Sequence, residues 1–176
     1  MYKSAQRKKQ SIGVYLLADH LLRSNNRLEF AYSINGKPQI ANSSKQISVS
    51  HSGSMVAVII SGTNNIGIDI ERISDKIDKV GSKILNQQEI EICNSLTTKD
   101  QFDFKHMVWG AKESMFKLYS IGGLDFKNHL TISSFDKLNQ SFTGNIEKDR
   151  YREVVFGKYM IIEDYMLVYI IGARVS

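Results

Sequence analysis

The sequence predicts an α+β fold, because helical and strand-like patterns occur in separate groups along the chain. One helical segment precedes four strand-like segments up to residue 70, and helical segments from residue 75 onward precede another four. This order predicts two α+β halves of similar organisation, approximately residues 10–70 and 71–176, that meet near residues 65–75. We expect both halves to belong to a single domain spanning residues 1–176.

The first half begins with a predicted helix over residues 11–24. Apolar residues at helical spacing indicate it, and two asparagines follow as a stop signal: Val14, Leu17, Leu21 and Leu22, then Asn25 and Asn26. Strands are predicted at residues 28–33, 46–50, 55–61 and 66–70. A turn at residues 35–38 and the short polar segments HSGS and GTNN separate these strands.

The second half begins with helical patterns and returns to strands. Two short apolar stripes are followed by a long helix, which begins at Thr98 or Asp100 as N-cap and ends at Gly122-Gly123. The stripes contain Ile77, Val80, Ile84 and Leu85, then Ile90, Cys93 and Leu96. The last strands are predicted at residues 130–133, 141–144, 151–162 and 165–171.

Composition excludes several classes of protein. The longest apolar runs, residues 55–60 and 165–171, are far shorter than the ~20 residues that span a bilayer. A single Cys93 excludes an intramolecular disulfide and an all-cysteine metal site. The basic start MYKSAQRKKQ is not followed by the apolar stretch of a signal peptide. We therefore expect a cytoplasmic protein that does not associate with membranes.

The net charge of +5 favours an anionic partner. Four of the basic residues lie within the first ten, either as a solvated tail or as part of such a surface: Lys3, Arg7, Lys8 and Lys9. Nucleic acid is not the expected partner, because no predicted strand alternates aromatic with basic residues and no zinc or helix-turn-helix pattern is present. An acidic protein and a phosphorylated cofactor both remain possible as the partner.

The segment IGIDIERIS, residues 66–74, carries two acidic residues inside an apolar strand. Alternation places Gly67, Asp69 and Glu71 on one face, with the two carboxylates roughly 6 to 7 Å apart. Two carboxylates this close repel each other unless a cation lies between them. Mg²⁺ is a suitable cation, since it prefers oxygen ligands and often uses one or two carboxylates together with substrate phosphates. The alternative is a solvated acidic face on an edge strand.

The long helix carries a second set of charged residues beside aromatic ones. Spacings of three and four place Trp109, Glu113 and Lys117 on neighbouring faces. An amphipathic helix with a Glu113–Lys117 pair explains this pattern without a function. If the aromatic side is buried, however, Lys112, Glu113 and Lys117 lie near the core boundary. Glu113 is then a candidate metal ligand or general base, and the lysines are candidates for binding phosphate.

Two further residues are presented at strand ends or turns. His51 follows a predicted strand and precedes a Ser-Gly turn, where ligands often bind. Lys37 lies in the Gly36-Lys37-Pro38 turn, which presents its side chain at a rigid corner. For each residue the alternative is a purely structural or solvent-exposed role.

Five motifs occur in the order typical of one family. They are Gly36-Lys37-Pro38, Ser50-His51-Ser52, Gly67-Ile68-Asp69-Ile70-Glu71, Trp109 through Lys112-Glu113-Ser114 to Lys117, and Gly122-Gly123-Leu124. Over about residues 35–125 the chain thereby resembles the 4'-phosphopantetheinyl transferase superfamily, in particular the two-half members that serve peptide and polyketide synthetases. The resemblance implies a pseudo-twofold fold. Two-half members have an additional N-terminal stretch near the adenosine, so it also implies a shortened N-terminal half here.

The resemblance further implies a reaction in which a serine of an apo acyl or peptidyl carrier protein takes the 4'-phosphopantetheine arm of coenzyme A, releasing 3',5'-ADP. It implies that Asp69, Glu71 and Glu113 bind Mg²⁺ and that Glu113 also serves as the base. Lys117 would contact the pyrophosphate, and Lys112 would lie against the same phosphates. The 3'-phosphate side of coenzyme A would be held by Lys37 and His51, with Ser50 nearby. Carrier proteins of this kind are typically acidic, which suits the basic surface.

Two alternative functions stay open at this point. A non-catalytic module would bind coenzyme A or a carrier protein without transferring the arm. A metal-dependent nuclease would also use paired carboxylates and lysines, although its lysine is usually on a strand next to the acids. The sequence leaves the oligomeric state open, with a monomer as the working expectation.

Overall fold

A computed structural model describes residues 5–23 and 27–175 of the 176-residue chain. Its four helices and nine strands fall into two groups, each with helix before strand, as the sequence predicts. One of the nine strands, at residues 38–40, is not among the eight predicted strands. The first group contains α1 (Ala5–Leu22), β1 (Phe30–Tyr32), β2 (Pro38–Ile40), β3 (Gln46–Ser52), β4 (Met55–Ser61) and β5 (Asn64–Arg72). The second contains α2 (Ile77–Ile84), α3 (Gln87–Asn94), α4 (Thr98–Tyr119), β6 (Leu130–Asp136), β7 (Ser141–Lys148), β8 (Tyr151–Ile162) and β9 (Tyr165–Arg174).

A five-stranded antiparallel sheet in the order β5-β9-β8-β7-β6 joins the two groups. Strand β5, which comes from the first group, pairs with the last strand β9 from Asn64 to Arg72. Two hairpins, β1–β2 and β3–β4, complete the strands of the described residues. The segment that carries the two predicted acidic ligands is therefore an edge strand of the main sheet.

Helix α4 packs on one face of this sheet at unusually short distance. Gly67 of β5 makes this possible, because a Cβ there would overlap the backbone oxygen of Ser114. Gly110 of α4 also allows the close approach, because a Cβ there would lie only 2.6 Å from Val168 Cγ2 of β9. The main core forms around this contact, and its most buried large side chains include Phe104, Met107, Met115, Leu130, Ile132, Ile146 and Ile170.

The opposite face of β5 and β9 is covered by β4. Ala57 of β4 packs with Ile68, Ile70 and Tyr165 in a separate buried cluster. The N-terminal region has a small core of its own, formed by Ala18, Leu28, Ile40 and Ile47. Strand β5 is consequently buried on both faces even though it lies at an edge of the sheet.

Helix α1 differs from its prediction in the face that it buries. It begins at Ala5 rather than at residue 11, and it buries Val14 and Ala18. Leu17 and Leu21, which were expected in the buried stripe, are 39% and 51% exposed. The reason is close packing through small residues, since a Cβ at Gly13 would lie only 3.1 Å from Val56 of β4. The predicted stop at Asn25-Asn26, like Lys3, lies outside the described residues.

The remaining boundaries agree with the sequence to within a few residues. Pro38 begins the short edge strand β2, a position that proline tolerates. The N-cap of α4 is Thr97, whose side chain accepts a hydrogen bond from Asp100 N–H, instead of Thr98 or Asp100. The helix ends before the predicted glycines because Ser120 adopts a left-handed conformation with φ 58°. No helix of the described residues has the length and apolar character to cross a membrane.

Candidate active site

Strand β5 separates apolar from acidic side chains as its alternation predicts. Ile68 and Ile70 face the cluster with Ala57, whereas Gly67 lies against Ser114 of α4 on the other side. Asp69 shares the helix-facing side, and its carboxylate is bonded to Lys117 of α4. Asp69 is therefore not part of a solvated face, since it is only 4% exposed, whereas Glu71 is half-buried.

The two carboxylate oxygens of Asp69 have different surroundings. Oδ1 accepts hydrogen bonds from Ser50 Oγ at 2.9 Å and from Lys117 Nζ at 2.7 Å. Oδ2 is fully buried and has no hydrogen-bond partner. Burying an unpaired charged oxygen is costly. Gly110 leaves space beside it, since even a Cβ at this position would be 3.8 Å from Oδ2. Oδ2 therefore has the character of a cation ligand.

Asp69 and Glu71 both lie close enough to Glu113 to interact with it electrostatically. Glu71 Oε2 accepts a hydrogen bond of 2.8 Å from Ser52 Oγ. The pKa of Glu113 is raised to about 6, chiefly by burial and also by the charges of Asp69 and Glu71, while Lys117 opposes the shift. Among the described residues, no three His, Cys, Asp or Glu side chains are grouped closely enough to hold a metal ion as they stand. The donor set still fits a hard cation, because it contains only oxygens and one buried oxygen lacks a partner.

Lys117 is held entirely by protein groups. Its Nζ donates to Ser50 Oγ, to the Ile68 carbonyl and to Asp69 Oδ1, at 2.9, 2.9 and 2.7 Å. An ammonium group has three hydrogens, so all three are used. Lys117 therefore supplies the positive charge beside Asp69 in this structure, and its contact with a pyrophosphate stays a prediction.

The expectation that Lys112 lies against phosphates is wrong. Its side chain is fully buried, and Nζ donates to Glu89 Oε2 at 2.7 Å and to the carbonyls of Ile84 and Phe126 at 2.8 and 2.9 Å. Glu89 in turn accepts from the Ile132 backbone N–H. Through these contacts Lys112 connects α4 with α2, α3 and β6. All three hydrogens of its ammonium group are used, so none is left to donate to a ligand.

Lys37 and His51 line two cavities that meet at the Gly36–Pro38 turn. The first has a volume of about 450 Å³ and is lined by Lys37, Phe116 and Lys117 among others. Lys37 Nζ donates to the Leu118 carbonyl at 3.4 Å, and burial lowers its pKa although Glu153 opposes the shift. The second cavity, of about 460 Å³, is lined by exposed His51 together with Arg7 and aromatic rings of β1.

Comparison with known proteins identifies the family of the chain. A model of the 4'-phosphopantetheinyl transferase superfamily matches residues 65–169, which is more than half of the 176 residues. The chain belongs to this superfamily. By family it is a 4'-phosphopantetheinyl transferase, and the resemblance seen in the motifs is confirmed.

Two solved structures have a similar fold. A holo-(acyl-carrier-protein) synthase from Bacillus anthracis str. Ames, in complex with CoA (3',5'-ADP), is 18% identical with a TM-score of 0.51. The similarity covers 65% of this chain and 99% of that one. Thermotoga maritima holo-[acyl-carrier-protein] synthase is 15% identical with a TM-score of 0.51, covering 64% and 65% of the two chains. No curated protein matches the chain.

The transferase family region contains only part of the candidate site. Asp69, Glu71, Glu113 and Lys117 lie within residues 65–169, whereas Lys37, Ser50 and His51 come from the N-terminal region that precedes it. The α+β class is confirmed, while the pseudo-twofold relation of two halves and the single domain over residues 1–176 stay predictions.

Sequence reasoning missed Ser52, whose hydroxyl holds Glu71. A signal for it was available, because serines occupy every second position of β3 at residues 48, 50 and 52. On a strand this spacing places all three side chains on one face. Serine is common in turns and loops, so the repeat carries little information until the neighbouring strand is known.

Proposed function

We propose that the protein transfers the 4'-phosphopantetheine arm of coenzyme A to a serine of an apo acyl or peptidyl carrier protein, with Mg²⁺, and releases 3',5'-ADP. The observation that carries this proposal is the buried, unpartnered Oδ2 of Asp69 beside Glu71 and Glu113. It lies in a chain of the transferase superfamily. An all-oxygen site of this kind suits phosphoryl-type transfer, in which positioning and charge neutralisation dominate.

Asp69, Glu71 and Glu113 are the residues that would hold the metal. Bound there, Mg²⁺ would neutralise charge on the pyrophosphate as the phosphoanhydride bond breaks. Asp69 would bind through Oδ2, because Oδ1 is already engaged by Ser50 and Lys117. Three neighbouring carboxylates, of which Asp69 is buried, would need such a counter-charge, since Lys117 supplies only one positive charge.

Glu113 is the proposed base for the carrier serine. The serine oxygen forms the new bond to the β-phosphorus of coenzyme A, the bond from that phosphorus to the bridging oxygen breaks, and 3',5'-ADP leaves with the bridging electrons. Glu113 accepts the serine proton directly or through water. In the metal-free protein the pKa of Glu113 is about 6, so its carboxylate is mostly ionised at pH 7 and able to accept a proton.

The two cavities at the Gly36–Pro38 turn are proposed to hold the phosphate-rich end of coenzyme A. Lys37 and His51, with Ser50 nearby, would hold the 3'-phosphate side. Lys117 lines the first cavity and also bonds Asp69, so it adjoins both the cavity and the carboxylates. To contact the pyrophosphate it would exchange one of its three protein contacts for a phosphate oxygen.

A carrier-modification assay tests this proposal. The protein is incubated with coenzyme A, Mg²⁺ and apo carrier proteins, and the carrier mass is measured. We expect the wild type to add a phosphopantetheine mass, and Asp69→Asn and Glu113→Gln to lower the rate at least about a hundredfold. The exposed Glu91→Gln is the matched control and should retain the wild-type rate.

Two results would contradict the proposal. Binding of coenzyme A without any gain in carrier mass would indicate a non-catalytic binding module. Metal-dependent nicking of DNA without carrier modification would indicate a nuclease.

A cytoplasmic location is expected, since carrier proteins and coenzyme A are available there.

A further inference from the structure

Strand β3 contacts β5 through a repeated series of serine hydroxyls. Ser48 Oγ accepts from the Ile68 N–H at 3.1 Å, and Ser50 Oγ donates to Asp69 at 2.9 Å. Ser52 Oγ donates to Glu71 at 2.8 Å and accepts from the Arg72 N–H at 3.3 Å. The main-chain partner of β3 is β4, so these side chains make the hydrogen bonds that link β3 to β5.

The direction of two of these hydrogen bonds is fixed by a second donor. Lys117 donates to Ser50 Oγ, and a backbone N–H donates to Ser52 Oγ. An ammonium and an amide N–H can only donate, so each serine directs its own hydrogen at a carboxylate. Ser50 thereby fixes Asp69 and Ser52 fixes Glu71. Ser48 has no such role, because it accepts from backbone and contacts no carboxylate.

These contacts determine which carboxylate oxygens remain for a ligand. Asp69 Oδ1 receives two hydrogen bonds, and Oδ2 receives none although it is buried. Ser50 and Asp69 are 8% and 4% exposed, so their side chains have little free space in which to rotate. Glu71 is longer and more exposed, and Ser52 restrains one of its oxygens. The serines thus reduce the rotation that a cation would otherwise have to suppress on binding.

We propose that Ser50 and Ser52 are positioning residues that pre-align Asp69 and Glu71 for a divalent cation. The N-terminal region, which lies outside the family match at residues 65–169, thereby raises the cation affinity of the family region. This inference rests on the proposed function, because it takes the metal site as the place where the carboxylates act. Ser50 in this role acts on Asp69 and not primarily on coenzyme A.

Titration of the full-length protein with Mn²⁺ alone, followed by electron paramagnetic resonance, tests this role without turnover. We expect Ser50→Ala and Ser52→Ala each to weaken Mn²⁺ binding about tenfold. Ser50→Thr and Ser52→Thr keep the hydroxyl and should restore most of the affinity. Ser48→Ala is the matched control, since it removes a hydroxyl from the same strand but spares both carboxylates. Thermal unfolding of each variant verifies folding.

The outcomes separate this inference from the proposed function. If the wild type binds Mn²⁺ and both alanine variants bind it equally well, the positioning role is overturned while the proposed function stands. If Ser48→Ala weakens binding as much as the other two, the serines serve only to hold the strands together and the inference is also overturned. If the wild type binds no Mn²⁺, both the metal site and the inference fall. If Ser50→Ala does not fold, the comparison of Mn²⁺ binding by Ser52→Ala and Ser52→Thr tests the positioning role.

Discussion

Different contacts stabilise the family region, residues 65–169, and the N-terminal region that precedes it. In the family region α4 packs directly on the sheet, and large side chains such as Phe104 and Met107 are completely buried. The described N-terminal core is much smaller, with Ala18, Leu28 and Ile47 among its members. Its link to β5 consists of serine hydroxyls and one face of β4. We therefore expect the family region to carry most of the stability, while the N-terminal region contacts the site through a few polar groups.

Breaking the buried ion pair of the family region should have the largest effect on stability. Lys112→Met leaves Glu89 buried without its cationic partner, so we expect a loss of about 3–5 kcal/mol in the free energy of unfolding. Urea denaturation measures it. Lys105→Met, which removes a partly exposed pair with Asp78, is the control and should cost less than about 1 kcal/mol. Equal losses in the two variants would contradict the role of Lys112 as a structural hub.

Separating α4 from β5 should be the next most damaging change. In Gly67→Ala the added methyl overlaps the Ser114 backbone oxygen, which cannot move without shifting the helix. We expect a loss of about 3 kcal/mol by urea denaturation, together with weaker Mn²⁺ binding because Glu113 moves away from Asp69. Gly62→Ala, where a Cβ meets no atom within 4 Å, is the control. A neutral Gly67→Ala would show that the close approach is not required.

The same truncation in each core compares the two regions directly. Ile132 and Ile47 are both buried, at 0% and 1% exposure, in the main and N-terminal cores respectively. We expect Ile132→Ala to cost about 3 kcal/mol and Ile47→Ala about 2 kcal/mol, because the smaller core has fewer neighbours around the cavity and relaxes more easily. Chemical denaturation gives both values. Equal costs would contradict a difference in packing between the regions.

Removing the charge of Glu113 should have the smallest effect, with a definite pH dependence. The pKa of Glu113 is raised from 4.5 to about 6, so the folded protein holds this proton more tightly than the unfolded chain does. The resulting stability is present below pH 4.5 and is lost as the pH rises through about 6. The full shift corresponds to about 2 kcal/mol, which partial exposure screens to about 1 kcal/mol.

Glu113→Gln should therefore be more stable than the wild type by about 1 kcal/mol at pH 7.5 and equally stable at pH 4, measured by urea denaturation in a chelating buffer. The exposed Glu91→Gln serves as the control at both pH values. A lower stability of Glu113→Gln at pH 7.5 would mean that the ionised carboxylate is stabilised by its surroundings.

Most of the fold could be predicted because its signals are local. Strands β4 and β8 begin and end at the predicted residues, since turn residues flank continuous apolar or alternating runs. The buried face of α1 could not be predicted, because the helix approaches β4 closely at Gly13 while Leu16, Leu17 and Leu21 stay exposed. Hydrophobic spacing identifies a helix, but it does not reveal which face a partner selects by shape.

The candidate site, like the fold, could be predicted from the sequence only in part. Alternation on β5 and the four-residue spacing of Glu113 and Lys117 are properties of the sequence, and they bring the carboxylates and one lysine to facing sides of β5 and α4. Lys112 and Lys117 are five positions apart, about 140° around the helix, so both cannot face the same ligand. Only the tertiary structure decided that Lys112 points to the buried Glu89 and Lys117 to Asp69.

By itself the sequence determined the α+β class, the family motifs and the acidic face of β5, because these depend on residue types and short spacings. Only the tertiary structure decided which oxygen of Asp69 is left without a partner and which serines hold the acids. Those features depend on β3 lying beside β5 and on α4 packing against it. Local patterns such as the alternating serines do not say which segments lie side by side.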